Sequence, residues 1–217
     1  MITDERVAAF IGSLGGGMTP YLEELEKSAV SSGVPIIREQ TRSLLKYLLA
    51  ENEPARLLEI GTAVGFSAIF MATYGPAGLH IDTIENYEKH IASAHSNIKN
   101  AHMEDAIRLI EGDAIDVLET LAKEGAVYDM IFVDAAKAQY PAYLPLCKKL
   151  LCRGGVLVSD NVLFDGNIVQ SRFAVRRRDR TIHERMRKYL RMLTEDEDLV
   201  TTILPIADGM TLSVKKS

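Results

Sequence analysis

The sequence predicts an α/β fold: a seven-stranded, mostly parallel sheet with helices on both faces, an N-terminal helical extension and an antiparallel C-terminal hairpin. Three observations predict it. Between Arg56 and Ser159, short apolar runs alternate with helical stretches, the pattern of parallel strands joined by crossover helices. Residues 1–50 carry helical spacing alone. Near the C-terminus, two strand-like runs flank Asp208-Gly209, a hairpin signal. With 217 residues and 47% hydrophobic content, the chain can bury one full core. A single domain over 1–217 is expected, with 1–50 as its helical extension.

In the extension, Val7, Phe10, Ile11 and Leu14 fall on one helix face, and Gly15-Gly16-Gly17 ends that helix. Pro20 opens a second helix to about Ser31. Gly33-Val34-Pro35 breaks the chain before a third, Ile36 to Ala50, with Leu44, Leu45, Leu48 and Leu49 inward. Strands are expected at Arg56–Ile60, Leu79–Ile84, Ile107–Ile110, Met130–Val133 and Gly155–Ser159. The helices between them are Phe66–Thr73, Tyr87–Asn100, Ala114–Ala122 and Tyr140–Leu150. A basic helix follows, then strands Val200–Ile206 and Met210–Val214.

Composition excludes several classes. No apolar run approaches the ~18 residues that span a bilayer. The N-terminal M-I-T-D-E-R-V has acids where a signal peptide needs a basic segment, so a cytoplasmic location and no membrane partner are expected. Cys147 and Cys152 have neither C-x-x-C spacing nor the number for a disulfide framework. The net charge of −5 argues against an indiscriminate polyanion binder. Charge is nevertheless concentrated: Arg172, Arg176, Arg177, Arg178, Arg180, Arg185, Arg187, Lys188 and Arg191 face only Asp179 and Glu184 in that stretch. Such a patch on an acidic protein suggests a specific anionic partner.

In sheets of this kind, ligands bind beyond the carboxyl ends of the strands. The first strand ends L-L-E-I-G-T-A-V-G-F-S, which is not the G-x-G-x-x-G of a dinucleotide loop. Gly61 and Gly65 still allow close backbone approach, and Ser67 opens the next helix, where amides and a hydroxyl suit a small carboxylate. Strand two ends in Glu85, placed to accept two ribose hydroxyls, and strand three ends Gly112-Asp113-Ala114, where Asp113 can accept from an exocyclic amine. A ligand with ribose, adenine and carboxylate but no phosphate is S-adenosylmethionine. Each piece alone has an ordinary reading, a turn or a solvated acid; their order on successive strands carries the inference.

Strand four ends D-A-A-K, Asp134 to Lys137, and strand five ends Asp160-Asn161. Adjacent strand ends would bring together two carboxylates and an amide, a donor set for Mg²⁺ or Mn²⁺. The histidines at 80, 90, 95, 102 and 183 form no H-x-x-x-H pair, so zinc is not expected. Taken separately, Asp-Asn could be a simple turn and Lys137 an exposed loop lysine.

At this point the sequence resembles the cation-dependent class I O-methyltransferases of the catechol and caffeoyl-CoA type, with their Rossmann-like fold. The matching segments are V-P-I-I, L-E-I-G-T-A-V-G-F-S, I-E-N, G-D-A, I-F-V-D-A-A-K and V-S-D-N-V-L-F. Within that group, the D-N-V-L-F-x-G loop, the arginine-rich segment and the closing I-P-I-A-D-G-M hairpin are most similar to bacterial tRNA 5-hydroxyuridine methyltransferases. The resemblance implies cofactor contacts at Ile37, Glu59, Gly61, Ser67, Glu85, Gly112, Asp113, Ala114 and Asp134, and metal ligands at Asp134, Asp160 and Asn161. It implies catalytic work at Asp134 and Lys137, and a homodimer to which the N-terminal helices contribute.

Two substrates fit a metal that chelates vicinal oxygens: the wobble 5-hydroxyuridine of a tRNA anticodon loop, or a small catechol or hydroxycinnamoyl-type phenol. The first assigns phosphate contacts to Arg172, Arg176, Arg177, Arg178 and Arg180. In the second, the arginines are a solvated or dimer-facing surface. The density of basic residues makes tRNA the leading expectation from sequence. A non-enzymatic nucleotide-binding module conflicts with an open metal site.

Overall fold

The computed structural model describes residues 4–216. The expected strands form as β1 (Arg56–Ile60), β2 (His80–Glu85), β3 (Ile107–Glu111), β4 (Tyr128–Val133), β5 (Leu151–Ser159), β6 (Leu199–Leu204) and β7 (Met210–Lys215). They lie in the order β3-β2-β1-β4-β5-β7-β6. The pairs among β1 to β5 are parallel, whereas β7 runs antiparallel to both β5 and β6. β7 is therefore the one reversed strand, and the hairpin places the Asp208 turn beside the carboxyl end of β5.

Side chains alternate along β1 and so divide the core. Leu57 packs with Ile81, Phe132 and Val158 under the apolar side chains of α2 (Pro20–Ser31), α3 (Glu39–Asn52) and α4 (Phe66–Tyr74), joined by Ile98 of α5 (Glu88–Asn100). Leu58 and Ile60 pack with Ile84, Ile131 and Leu157 under α6 (Ala114–Lys123), α7 (Tyr140–Leu150) and α8 (Arg180–Thr194).

Two local expectations need correction. The third helix begins at Glu39, not Ile36; Pro35 to Arg38 lie outside any helix or strand, Arg38 being extended, and Ile37 is buried. The basic segment is helical only from Arg180, with Arg177–Asp179 forming a short 3-10 turn. The reason is apolar spacing: α8 buries His183, Met186, Tyr189 and Leu193, whereas Val175 is the sole core residue between Ser171 and Asp179. Arg172, Arg176, Arg177 and Arg178 thus lie on a loop and turn. The one-sided apolar row expected in α1 (Glu5–Ser13) and its C-cap faces outward, Phe10 being 64% and Leu14 71% exposed.

Candidate active site

Backbone hydrogen bonds hold the strand ends level. Gly61 and Thr62 donate to the Ile84 carbonyl, Asp134 to that of Ile60 and Asp160 to that of Val133. The residues following β1, β2, β4 and β5 are thereby gathered at one edge. They line a cavity of about 550 Å³ that includes Ile37, Gly61, Ser67, Glu85, Gly112, Asp113, Ala114, Asp134, Lys137, Asp160 and Asn161. Glu59 lies beneath it, fully buried. The five arginines assigned to RNA do not line it.

At one end of the cavity the chain turns from β1 into α4. Gly61 has φ 105°, and a Cβ there would collide with the Asp134 carbonyl oxygen, so only glycine lets the two strand ends approach. Gly65 caps α4 at φ 85° with no side-chain cap, leaving the helix's first turn available to an anion. Glu85 is already hydrogen-bonded to backbone: Oε2 accepts the Ala63 amide at 2.8 Å and Oε1 the amides of Asn86 and Tyr87 at 2.9 and 3.0 Å. It organises both flanking loops with three of its four lone-pair directions and keeps one, on Oε2, for a ligand. Asp113 caps α6 through Oδ1, which accepts the Ile115 amide at 2.9 Å.

Glu59 supports this end from below. Its Oε2 accepts from Thr83 at 2.5 Å, while Oε1 has no hydrogen-bond partner of good geometry. Burial pushes its carboxyl up to about 7, with the Ser67 and Thr83 hydroxyls opposing and the Asp134 and Glu85 charges adding.

The other end gathers oxygens. Burial first, then the charge of Asp160, raises Asp134 well above the usual carboxylate range, and Lys137 opposes the shift. Asp160 is raised by burial, against hydrogen bonds from the Asn161 amide and Thr41. Asn161 sits in the left-handed region at φ 57°, a conformation its short amide side chain tolerates. Among the described residues no group of three or more His, Cys, Asp or Glu side chains is arranged for a metal. The trio here has only two acids, and its third donor is the Asn161 amide. A buried carboxylate, Asp160, and a half-buried one, Asp134, that repel one another on a cavity wall shared with the Asn161 amide fit a hard cation by donor chemistry.

Three contributors escaped the sequence reading. The Tyr140 hydroxyl, buried at the start of α7, lies 3.2 Å from the Val133 carbonyl and 3.1 Å from that of Asp160, bridging β4 and β5. Asp208, buried in the hairpin turn, lines the cavity and its charge acts on Asp160. Thr41 reaches Asp160 from α3. None had a local signal beyond helix or turn.

The arginines have other engagements. Arg172 pairs with Glu184 at 3.3 Å and Arg178 with Asp179 at 3.8 Å. Arg180 donates to the carbonyls of Val175 and Phe173, Arg185 to that of Ala138 and Arg187 to that of Ile168. Arg176, Arg177 and Arg178 are exposed.

A family profile described as O-methyltransferase matches residues 10–216. The chain belongs to the O-methyltransferase family. Among its relatives is a catechol O-methyltransferase of Niastella koreensis, 31% identical over 220 residues that cover 98% of this chain and 97% of that one. A putative caffeoyl-CoA O-methyltransferase from Staphylococcus aureus superposes with a TM-score of 0.85 at 32% identity, covering 97% of this chain and 98% of that structure. The O-methyltransferase TomG from Streptomyces achromogenes, involved in tomaymycin synthesis and solved with SAM, gives 0.85 at 28% identity with 100% of both chains covered. The fold and family expected from sequence are therefore established; the tRNA-specific resemblance gains no support from these relatives. No helix among the described residues is long and apolar enough to cross a membrane.

Proposed function

We propose that this enzyme transfers the methyl group of S-adenosylmethionine to one of two vicinal hydroxyls on a small catechol or hydroxycinnamoyl-type phenol, with a divalent cation at Asp134, Asp160 and Asn161. The carrying observation is the single cavity that joins the Gly61–Ser67–Glu85 end to the Asp134–Asp160–Asn161 end. The sequence alone favours tRNA; the relatives named for catechol and caffeoyl-CoA, together with a cavity lined by none of the arginines between Arg172 and Arg191, favour the small phenol.

The chain's own groups divide the work. Glu85 would receive the ribose hydroxyls, the α4 N-terminus the carboxylate, and Asp113 the exocyclic amine. A cation held by Asp134, Asp160 and Asn161 would supply Lewis-acid chemistry for the substrate hydroxyls. Lys137, on the cavity wall, would hold or take the hydroxyl proton at Nζ. Asp134 stands between the cofactor and cation ends, so fixing it fixes both partners relative to each other, the main source of rate in a direct transfer. The outward apolar row on α1 suits contact with a second copy of the chain.

The test is turnover of purified enzyme with S-adenosylmethionine and Mg²⁺ on catechol, caffeoyl-CoA and tRNA bearing 5-hydroxyuridine. Methylation of the phenols supports the reading; methylation of tRNA alone overturns it. The exposed Arg176, Arg177 and Arg178 are what favours tRNA as a second reading. Under it, reversing all three charges raises the KM for tRNA and flattens its salt dependence while the catechol rate is unchanged.

A further inference from the structure

Thr41 lies in the first turn of α3, fully buried, and its hydroxyl donates to Asp160 Oδ2 at 3.2 Å. The other carboxylate oxygen, Oδ1, accepts the amide of the next residue, Asn161, at 2.7 Å. Among the described residues each oxygen therefore has one donor and keeps a further lone-pair direction. Thr41 itself is not part of the cavity wall; it stands behind Asp160. The Asn161 amide travels with the same peptide as Asp160. Thr41, 119 positions away in sequence, is the donor that ties the carboxylate to a different element.

We propose that Thr41 is a positioning residue for the divalent cation: its hydroxyl sets the orientation of the Asp160 carboxylate before the ion arrives. This rests on reading Asp134, Asp160 and Asn161 as the ligand set. Without the hydroxyl, Asp160 gains torsional freedom that must be given up on binding, so affinity falls although every ligand remains. The N-terminal extension acquires a role at the site, because α3 carries the group that aims Asp160. A hydroxyl that merely satisfies itself in the core would alter folding stability and leave cation affinity where it was.

The test uses the full chain without cofactor, with Mn²⁺ affinity followed by electron paramagnetic resonance for wild type, Thr41→Val, Thr41→Ala and Thr41→Ser. Removing the hydroxyl should weaken Mn²⁺ about tenfold, the lower end of what outer-shell partners contribute. Serine should hold affinity within about twofold of wild type. S-adenosylmethionine affinity, measured separately by calorimetry, should stay unchanged in all four. Equal Mn²⁺ affinity in wild type and Thr41→Val overturns the proposal, and Thr41→Ala carries the comparison should valine not fold. A serine variant as weak as valine, or a parallel loss of S-adenosylmethionine affinity, also overturns it, by pointing to packing. If wild type binds no Mn²⁺, the ligand assignment fails and this proposal with it.

Discussion

Glu59→Gln should change how stability depends on pH. The native carboxyl, fully buried, titrates at about 7 against an ordinary value of 4.5, so the folded protein holds this proton more tightly than the unfolded chain. Between those values the native state binds more protons than the unfolded one, and stability falls as pH rises, levelling off above the folded value. Integrated over the titration, ionising Glu59 costs about 3 kcal/mol at pH 8 and under about 1 kcal/mol at pH 5. Glutamine keeps an acceptor for Thr83 and never ionises.

The measurement is urea unfolding of metal-free, cofactor-free enzyme at pH 5, 6, 7 and 8. Any constant cost of the amide shifts all four points equally, so the difference in slope isolates the titration. Wild type should lose about 2 kcal/mol more than Glu59→Gln between pH 5 and pH 8. Asp160 titrates in both proteins and largely cancels, whereas the charge of Asp134 acts on Glu59, so the slope difference reads the Glu59 carboxyl together with that interaction. Parallel curves would refute the reasoning, showing that the carboxyl ionises freely despite its burial.

Glu85→Ala should weaken S-adenosylmethionine by roughly 1.5–3 kcal/mol in calorimetry, the value of charge-assisted bonds to two hydroxyls; unchanged affinity would remove the ribose from β2's end. Asp160→Ala or Asn161→Ala should abolish transfer in a folded protein, as should EDTA, with Mg²⁺ or Mn²⁺ restoring wild type; full turnover in excess chelator would remove the metal. Gly61→Ala should lower the melting temperature and cofactor affinity together, because its methyl meets the Asp134 backbone. A Phe10→Asp, Leu14→Asp double variant should move the protein from dimer to monomer in light scattering; a wild-type monomer would leave the α1 row without that partner.

The chemistry of this site was readable wherever it lies at the end of a buried strand. I-F-V-D and V-L-V-S-D-N are apolar runs that stop abruptly at oxygen-bearing side chains, and a parallel sheet makes successive stops meet. Thr41, Tyr140 and Asp208 offered no such contrast. Thr41 sits in R-E-Q-T-R, which reads as a solvated helix surface, and Asp208 reads as a turn former. Both are buried because another element closes over them, a fact that local periodicity does not contain.

The arginines show the converse case, a local signal that counts more charge than the fold leaves unengaged. Counting charge along a sequence treats every guanidinium as available to an outside anion. Yet Arg180, Arg185 and Arg187 spend donors on the carbonyls of Val175, Phe173, Ala138 and Ile168, and Arg172 and Arg178 have acidic neighbours. A long stem with five donors serves readily as a clip for a loop that lacks regular structure. The segment from Ser171 to Asp179 buries only Val175, so it needs such clips to lie against α8. Part of the arginine density there serves to hold a weakly packed loop, while Arg176, Arg177, Lys188 and Arg191 are exposed charges that an anionic substrate could use.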